Sequence, residues 1–252
     1  MIRVHHLEEV MGTVFTVDAH FVETGEDLAQ QMVEQACRSL HEADDLFSTW
    51  RPETPISRLR GGDIDPSQVP QTVQDVLGDC ARLRDLSGGW FDPWAAPGGV
   101  DPTGYVKGWA GQRLLGQLRA AGARAALVNA AGDVTGFGGP EPGKPWRLGV
   151  TDPFWPQELL GVVEIDSGAL AVSGTYERGE HIYDPTDGSV ATGVISTAVI
   201  GPDLGVADAL ATGLMAGGAR ALEHVARLSG HEALLIFSDG SRQATPHFPL
   251  TS

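Results

Sequence analysis

The chain has 252 residues, 42% of them hydrophobic and 20% charged, enough to bury a core as one large domain or two intertwined halves. Seventeen Lys+Arg against 33 Asp+Glu give a net charge of −16, a surface that repels phosphate backbones and anionic lipid, so nucleic-acid and membrane-surface roles are set aside. No run of about 18 apolar residues is present, so no membrane segment is expected.

The chain opens with MIRVHHLEEVMGTVF, which has neither an apolar signal core nor a lipidation cysteine, and a cytoplasmic location is the expectation. Residues 13–22, TVFTVDAHFV, alternate and are β-branched, which predicts a strand. Over 26–47, Leu28, Met32, Ala36, Leu40, Ala43 and Phe47 recur at steps of three or four and predict a long helix. STWRPETPISRLRGG, with two prolines, is expected to be a loop. A second helix covers 71–87, stopped by Gly88-Gly89, and a third ends at Gly122. Strands are expected near 125–131, 146–151, 160–166, 169–173 and 194–200. Helices over 205–216 and 219–228 follow, then the strand EALLIF. Helices and strands mix without βαβ alternation, so the class is α+β. A single domain over 1–240 is expected, with 241–252 as a loose polar tail. Cys37 and Cys80 show no C-x-x-C or Cys/His ligand spacing and read as buried helix thiols.

Four stretches carry candidate chemistry. In GVADALATGLMA, Asp208 and Thr212 are four apart on a helix, so they share a face. That pair could offer hard oxygen ligands to Mg²⁺. Equally, the carboxylate favours a helix start through the dipole and the hydroxyl bonds back to a carbonyl. HIYDP puts His181 three before Asp184, a base and its orienter or a solvated turn. LVNAAGDVTGFG is a strand interrupted by small residues and Asp133, open to a flat ligand or merely bulged. VDPTGYVKGWA sets Asp101, Gly104 and Lys107 at steps of three around a helix start, where unpaired N–H groups and a lysine suit phosphate. Neither phosphate-loop signature, G-x-x-x-x-G-K-[ST] or G-x-G-x-x-G, is present.

Taken in order, MGT, LFSTWRPETPISRL, GGWFDP, VDPTGYVKGWA, LVNAAGDV, WRLGVTDP, AVSGTYERGEHIYDPTDG and ADALATGLMAGG resemble the motif series of the ApbE family, the FAD:protein FMN transferases. The resemblance implies two related T-fold-like halves with FAD, the substrate, in a groove between them. It places Met11 and Trp50 beside the flavin or its dinucleotide, and Trp90, Phe91 and Asp92 along the site. Asp101 and Lys107 fall on FAD-contacting positions. Gly104, through its carbonyl, with Asp208 and Thr212 would hold Mg²⁺, and His181, with Asp184 beside it, would act as base. The implied reaction moves FMN from FAD to a threonine or serine hydroxyl of an acceptor flavoprotein, releasing AMP. Mg²⁺-dependent FAD hydrolysis, or FAD binding without turnover, are the rival readings.

Overall fold

The computed structural model describes residues 1–175 and 182–251. Its opening hairpin pairs β1 (Ile2–Val10) with β2 (Thr13–Phe21), from Ile2 opposite Phe21 to Val10 opposite Thr13. Met11 and Gly12 close it with φ of 56° and 68°, the two-residue turn whose twist suits a tight hairpin. β1 was not expected from the sequence: its inward row mixes Val4 and Val10 with His6 and Glu8, which blurs the apolar alternation. α1 (Glu26–Phe47) has the predicted bounds and buries Ala29, Val33, Ala36, Leu40, Ala43 and Phe47. The proline-rich segment holds a short helix, α2 (Pro55–Arg60), instead of a continuous loop. Pro55 stands in the first turn, where its missing N–H costs nothing, and the Thr54 hydroxyl accepts from Ser57 N–H. α3 (Gln71–Leu86) and α4 (Thr103–Ala120) complete the first set of helices.

β3 (Ala125–Ala130) and β4 (Asp133–Phe137) form a second hairpin. LVNAAGDVTGFG is therefore not one interrupted strand. Ala131 and Gly132, with φ of 52° and 99°, reverse the chain there. β5 (Trp146–Thr151) and β6 (Leu159–Ile165) pair only with each other as a strand pair, and β7 (Ser167–Gly174) and β8 (Val194–Gly201) return to the main sheet. α5 (Leu204–Gly217), α6 (Ala219–Val225), β9 (Glu232–Phe237) and β10 (Arg242–Ala244) finish the chain.

The main sheet has eight antiparallel strands in the order β1-β2-β3-β4-β7-β8-β9-β10. Its two halves repeat one plan: two strands, helices, two more strands, all paired in chain order. They join where β4 meets β7. This is the expected α+β arrangement of two related halves. α1 and α4 cover one face of the first half through Phe15, Val17, Leu114 and Leu118, and α5 and α6 cover the same face of the second through Leu204, Leu210 and Leu214. Each of these fully buried leucines contributes roughly 2 kcal/mol. The β5–β6 pair packs on the opposite face with Trp146, Leu148 and Val163. The segment after 240 is not loose. Arg242–Ala244 extends the sheet against β9, and Thr251 pairs with Val162. No helix among the described residues is long and apolar enough to cross a membrane.

Candidate active site at the junction of the two halves

α4 of the first half lies directly against α5 of the second. The approach is set by residues without side chains. A Cβ on Gly108 would come within 2.5 Å of the Leu204 carbonyl and 2.9 Å of Asp208 Cβ, and one on Gly205 within 2.7 Å of the Tyr105 ring. Gln112 fixes the lower end, its Oε1 accepting from Leu204 N–H at 3.1 Å and from the Thr135 hydroxyl at 2.9 Å. With the backbones this close, Asp208 reaches across to accept from Gly108 N–H at 3.1 Å while only 4% exposed. One turn further along each helix, the position a Gly104 Cβ would take lies 2.9 Å from Thr212 Oγ1. Gly104, Asp208 and Thr212 thus come together from segments about a hundred residues apart.

They open into a cavity of about 280 Å³. Its walls are the turn at 90–97, Asp101 and the first turns of α4, the end of β7 at Val172–Gly174, the segment 182–185, and α5. Trp90, Phe91 and Asp92 all line it. Phe91 is held by its N–H donating to the Ser87 hydroxyl at 3.0 Å, and Asp92 accepts from Trp94 N–H at 2.9 Å to shape the turn. The Arg220 guanidinium stacks 4.5 Å over the Trp90 ring.

Among the described residues, two cations line the cavity. Lys107 Nζ sits 2.5 Å from Asp133 Oδ2, and the other oxygen of that buried carboxylate accepts from Val172 N–H at 2.7 Å. The lysine of α4 is therefore anchored to β4 and, through it, to β7, across the junction of the halves. Arg60, which had no assigned role from the sequence, is the second. It donates to Asp101 Oδ2 at 2.8 Å, to the Pro97 carbonyl at 2.5 Å and to the Gly98 carbonyl at 3.2 Å. Asp101 also accepts from Thr103 N–H at 3.1 Å at the head of α4. Arg60 could have been found only from the fold: it lies in a helix the prolines concealed, 37 residues before the loop it holds.

The chain's sequence matches the family profile of the ApbE family over residues 11–98 and 96–235. The chain belongs to the ApbE family. A protein named FAD:protein FMN transferase from Rhodobacter capsulatus is 37% identical over 158 residues, 58% of this chain and 30% of that protein. The chain thus spans less than a third of that relative's length. A protein of the same name from Vibrio cholerae is 26% identical over 271 residues, covering 84% of this chain and 81% of its own. The solved flavin transferase ApbE from Vibrio cholerae superposes with a TM-score of 0.84 at 22% identity, over 99% of each chain, and so shares the fold.

Not every position expected from the ApbE resemblance meets in the cavity. Trp50 is 93% exposed and lies outside the lining, because α1 ends at the buried Phe47 and the chain then turns outward. Met11 is confined to the β1–β2 turn, packed against two parts of the core, and does not line the cavity either. Tyr183 and Pro185 border the cavity, but the Asp184 carboxylate accepts from Thr186 N–H at 2.8 Å and from its hydroxyl at 2.5 Å, with Arg220 at 3.9 Å. That side chain closes a turn. His181 lies outside the described residues.

Proposed function

We propose that this protein transfers the FMN moiety of FAD to a threonine or serine hydroxyl of an acceptor flavoprotein, releasing AMP. One observation carries the proposal: Gly104, Asp208 and Thr212 converge on a cavity that also holds Lys107 and Arg60. The names of the relatives point the same way.

The lining fits a divalent cation. Among the described lining residues, Arg60 and Lys107 stand with Asp92, Asp101 and Asp208, so these charges by themselves do not balance a diphosphate. A main-chain carbonyl from Gly104, the Asp208 carboxylate and the Thr212 hydroxyl are hard oxygens of the kind Mg²⁺ prefers. The absent Cβ of Gly104 leaves the space beside Thr212 Oγ1 open. These three residues would hold Mg²⁺, which when bound supplies neutralisation of charge on the diphosphate.

Within this reading the chain's residues position and shield. Lys107 and Arg60 offer the fixed positive charge that the −16 surface otherwise denies an anion. Trp90 and Phe91 supply apolar walls, and Ser173 and Gly174 present polar groups at the end of β7. The acceptor hydroxyl attacks the phosphorus of the FMN half. A new phosphorus–oxygen bond forms, the diphosphate bond to AMP breaks, and AMP leaves with the electron pair. The hydroxyl proton passes to a base, for which His181 is the assignment.

The test is direct. The protein is incubated with FAD, Mg²⁺ and a flavoprotein bearing a candidate Thr or Ser, and the acceptor is weighed by mass spectrometry. A gain equal to FMN less one water, with release of AMP, is expected, lost in Asp208→Ala with the fold intact. Free FMN and AMP with an unmodified acceptor would assign hydrolysis instead, and full activity of Asp208→Ala would overturn the cation site.

A further inference from the structure

Away from the cavity, β1 turns two ionisable side chains toward the helix layer. Its even-numbered residues face inward. Val4 and Val10 are buried at the ends of that row, and His6 and Glu8 stand between them. Above them on α1, Cys37 is buried within the same cluster, and His41 follows four residues later on the same face. The two imidazoles reach different oxygens of Glu8: His6 Nε2 is 2.8 Å from Oε2 and His41 Nε2 is 2.8 Å from Oε1. Ligand-capable atoms of His6, Glu8 and Cys37 all lie within 4.8 Å of one another. None of the four lines the cavity. Cys37 and His41 are one helical turn apart on α1.

We propose that His6, Glu8, Cys37 and His41 form a Zn²⁺ site that fastens β1 to α1. The spacing is what two regular elements need to converge on one ion. Residues two apart on a strand share a face, as do residues four apart on a helix, so each element contributes a pair. Two imidazoles, a thiolate and a carboxylate are the donor set that tetrahedral zinc accepts, and the thiolate disfavours Mg²⁺. Zinc bonds of about 2.0–2.3 Å put ligand atoms roughly 3.5 Å apart, a modest contraction for His6, Glu8 and Cys37, to which His41 would swing in from its 2.8 Å contact with Glu8. Hydrogen bonding among Glu8 and the two histidines accounts for three of these side chains but gives the thiol no part. A metal accounts for all four. The site would act on the edge strand of the sheet, which β2 alone pairs, by cross-linking it to the helix above.

Cobalt titration of the whole protein, stripped of metal by chelator, tests this. Stoichiometric Co²⁺ is expected to give a thiolate-to-cobalt charge-transfer band with the intense visible bands of tetrahedral cobalt, both bleached by added Zn²⁺. Cys37→Ser should lose the charge-transfer band, and His41→Ala, altered at a half-exposed side chain, should lose tetrahedral intensity. Asp208→Ala should keep both. Absence of a thiolate band at saturating Co²⁺, its survival in Cys37→Ser, or its loss in Asp208→Ala would overturn the proposal. Should Cys37→Ser not fold, an unchanged cobalt spectrum and affinity in His41→Ala would overturn it.

Discussion

Lys107 and Asp133 show how one residue can answer to two demands. The Asp133 side chain is 1% exposed and Lys107 17%, so the pair is largely withdrawn from water, and removing one partner leaves a buried charge. Lys107→Met is expected to cost about 3 kcal/mol of stability, measured by urea unfolding, with much of it regained in Lys107→Met/Asp133→Asn. FAD affinity should fall in both variants, and by more at low ionic strength than at high, if the ammonium also meets the diphosphate. Recovery of FAD binding in the double variant would make the lysine purely structural. Gly104 presents a sharper case. A methyl there would sit 2.9 Å from Thr212 Oγ1 and 3.4 Å from the Phe91 ring. Gly104→Ala should displace the hydroxyl and lower FMN transfer roughly 100-fold, the scale of a 1 Å misplacement, while the unfolding midpoint moves little.

The contact of α4 with α5 decides what its glycines are for. Helix propensity alone says that replacing an interior glycine by alanine stabilises by about 1 kcal/mol. Gly116 has nothing within 4 Å of where its Cβ would be, so Gly116→Ala should follow that rule. Gly108→Ala should do the reverse. Its Cβ would meet the Leu204 carbonyl at 2.5 Å, and overpacking of this kind costs about 1–3 kcal/mol. Denaturant unfolding of the two variants should therefore move in opposite directions, with Gly108→Ala also losing activity because Asp208 is bonded to that N–H. The loop after Phe91 makes the same point. Arg60 is its clasp, through Asp101 and the Pro97 and Gly98 carbonyls. A lysine presents a point charge where the guanidinium presents a fork, so Arg60→Lys is expected to weaken FAD binding, read by quenching of flavin fluorescence, nearly as much as Arg60→Ala.

Across the whole molecule, helices cover one face of the sheet and the β5–β6 pair covers the centre of the other, with His20 beneath it. It is 2% exposed, edge-on to the Trp146 ring at 5.8 Å. Burial, aided by Arg3 and Arg124 and opposed by Asp18, holds its folded pKa below the ordinary value. The unfolded chain then binds more protons than the folded one just below about pH 6.5. This contribution to stability is full above that pH, is lost as pH falls through it, and levels off below the folded value. Thermal midpoints measured between about pH 8 and pH 5 should decline on the acid side, and the decline should be shallower in His20→Leu.

How much of this was legible beforehand follows from what each feature depends on. α1, α3 and β7 through β9 could be read from periodicity because one face of each is continuously apolar, and the family could be read because its motifs survive in order. β1 and α2 escaped for local reasons: ionisable residues in an inward row, and prolines that open a helix as readily as they break one. Asp208 and Thr212 were legible as a pair, being one turn apart. That they face Gly104 required the two halves to close, since helix approach is decided by backbone distance and not by spacing along either segment. The partner of Lys107, the clasp made by Arg60 and the exclusion of Trp50 from the cavity are likewise properties of packing. The sequence alone determined which residues could do the chemistry, because side-chain type and helical period are local. Only the tertiary structure decided which of them meet, because every one of those contacts spans elements that are distant in the chain.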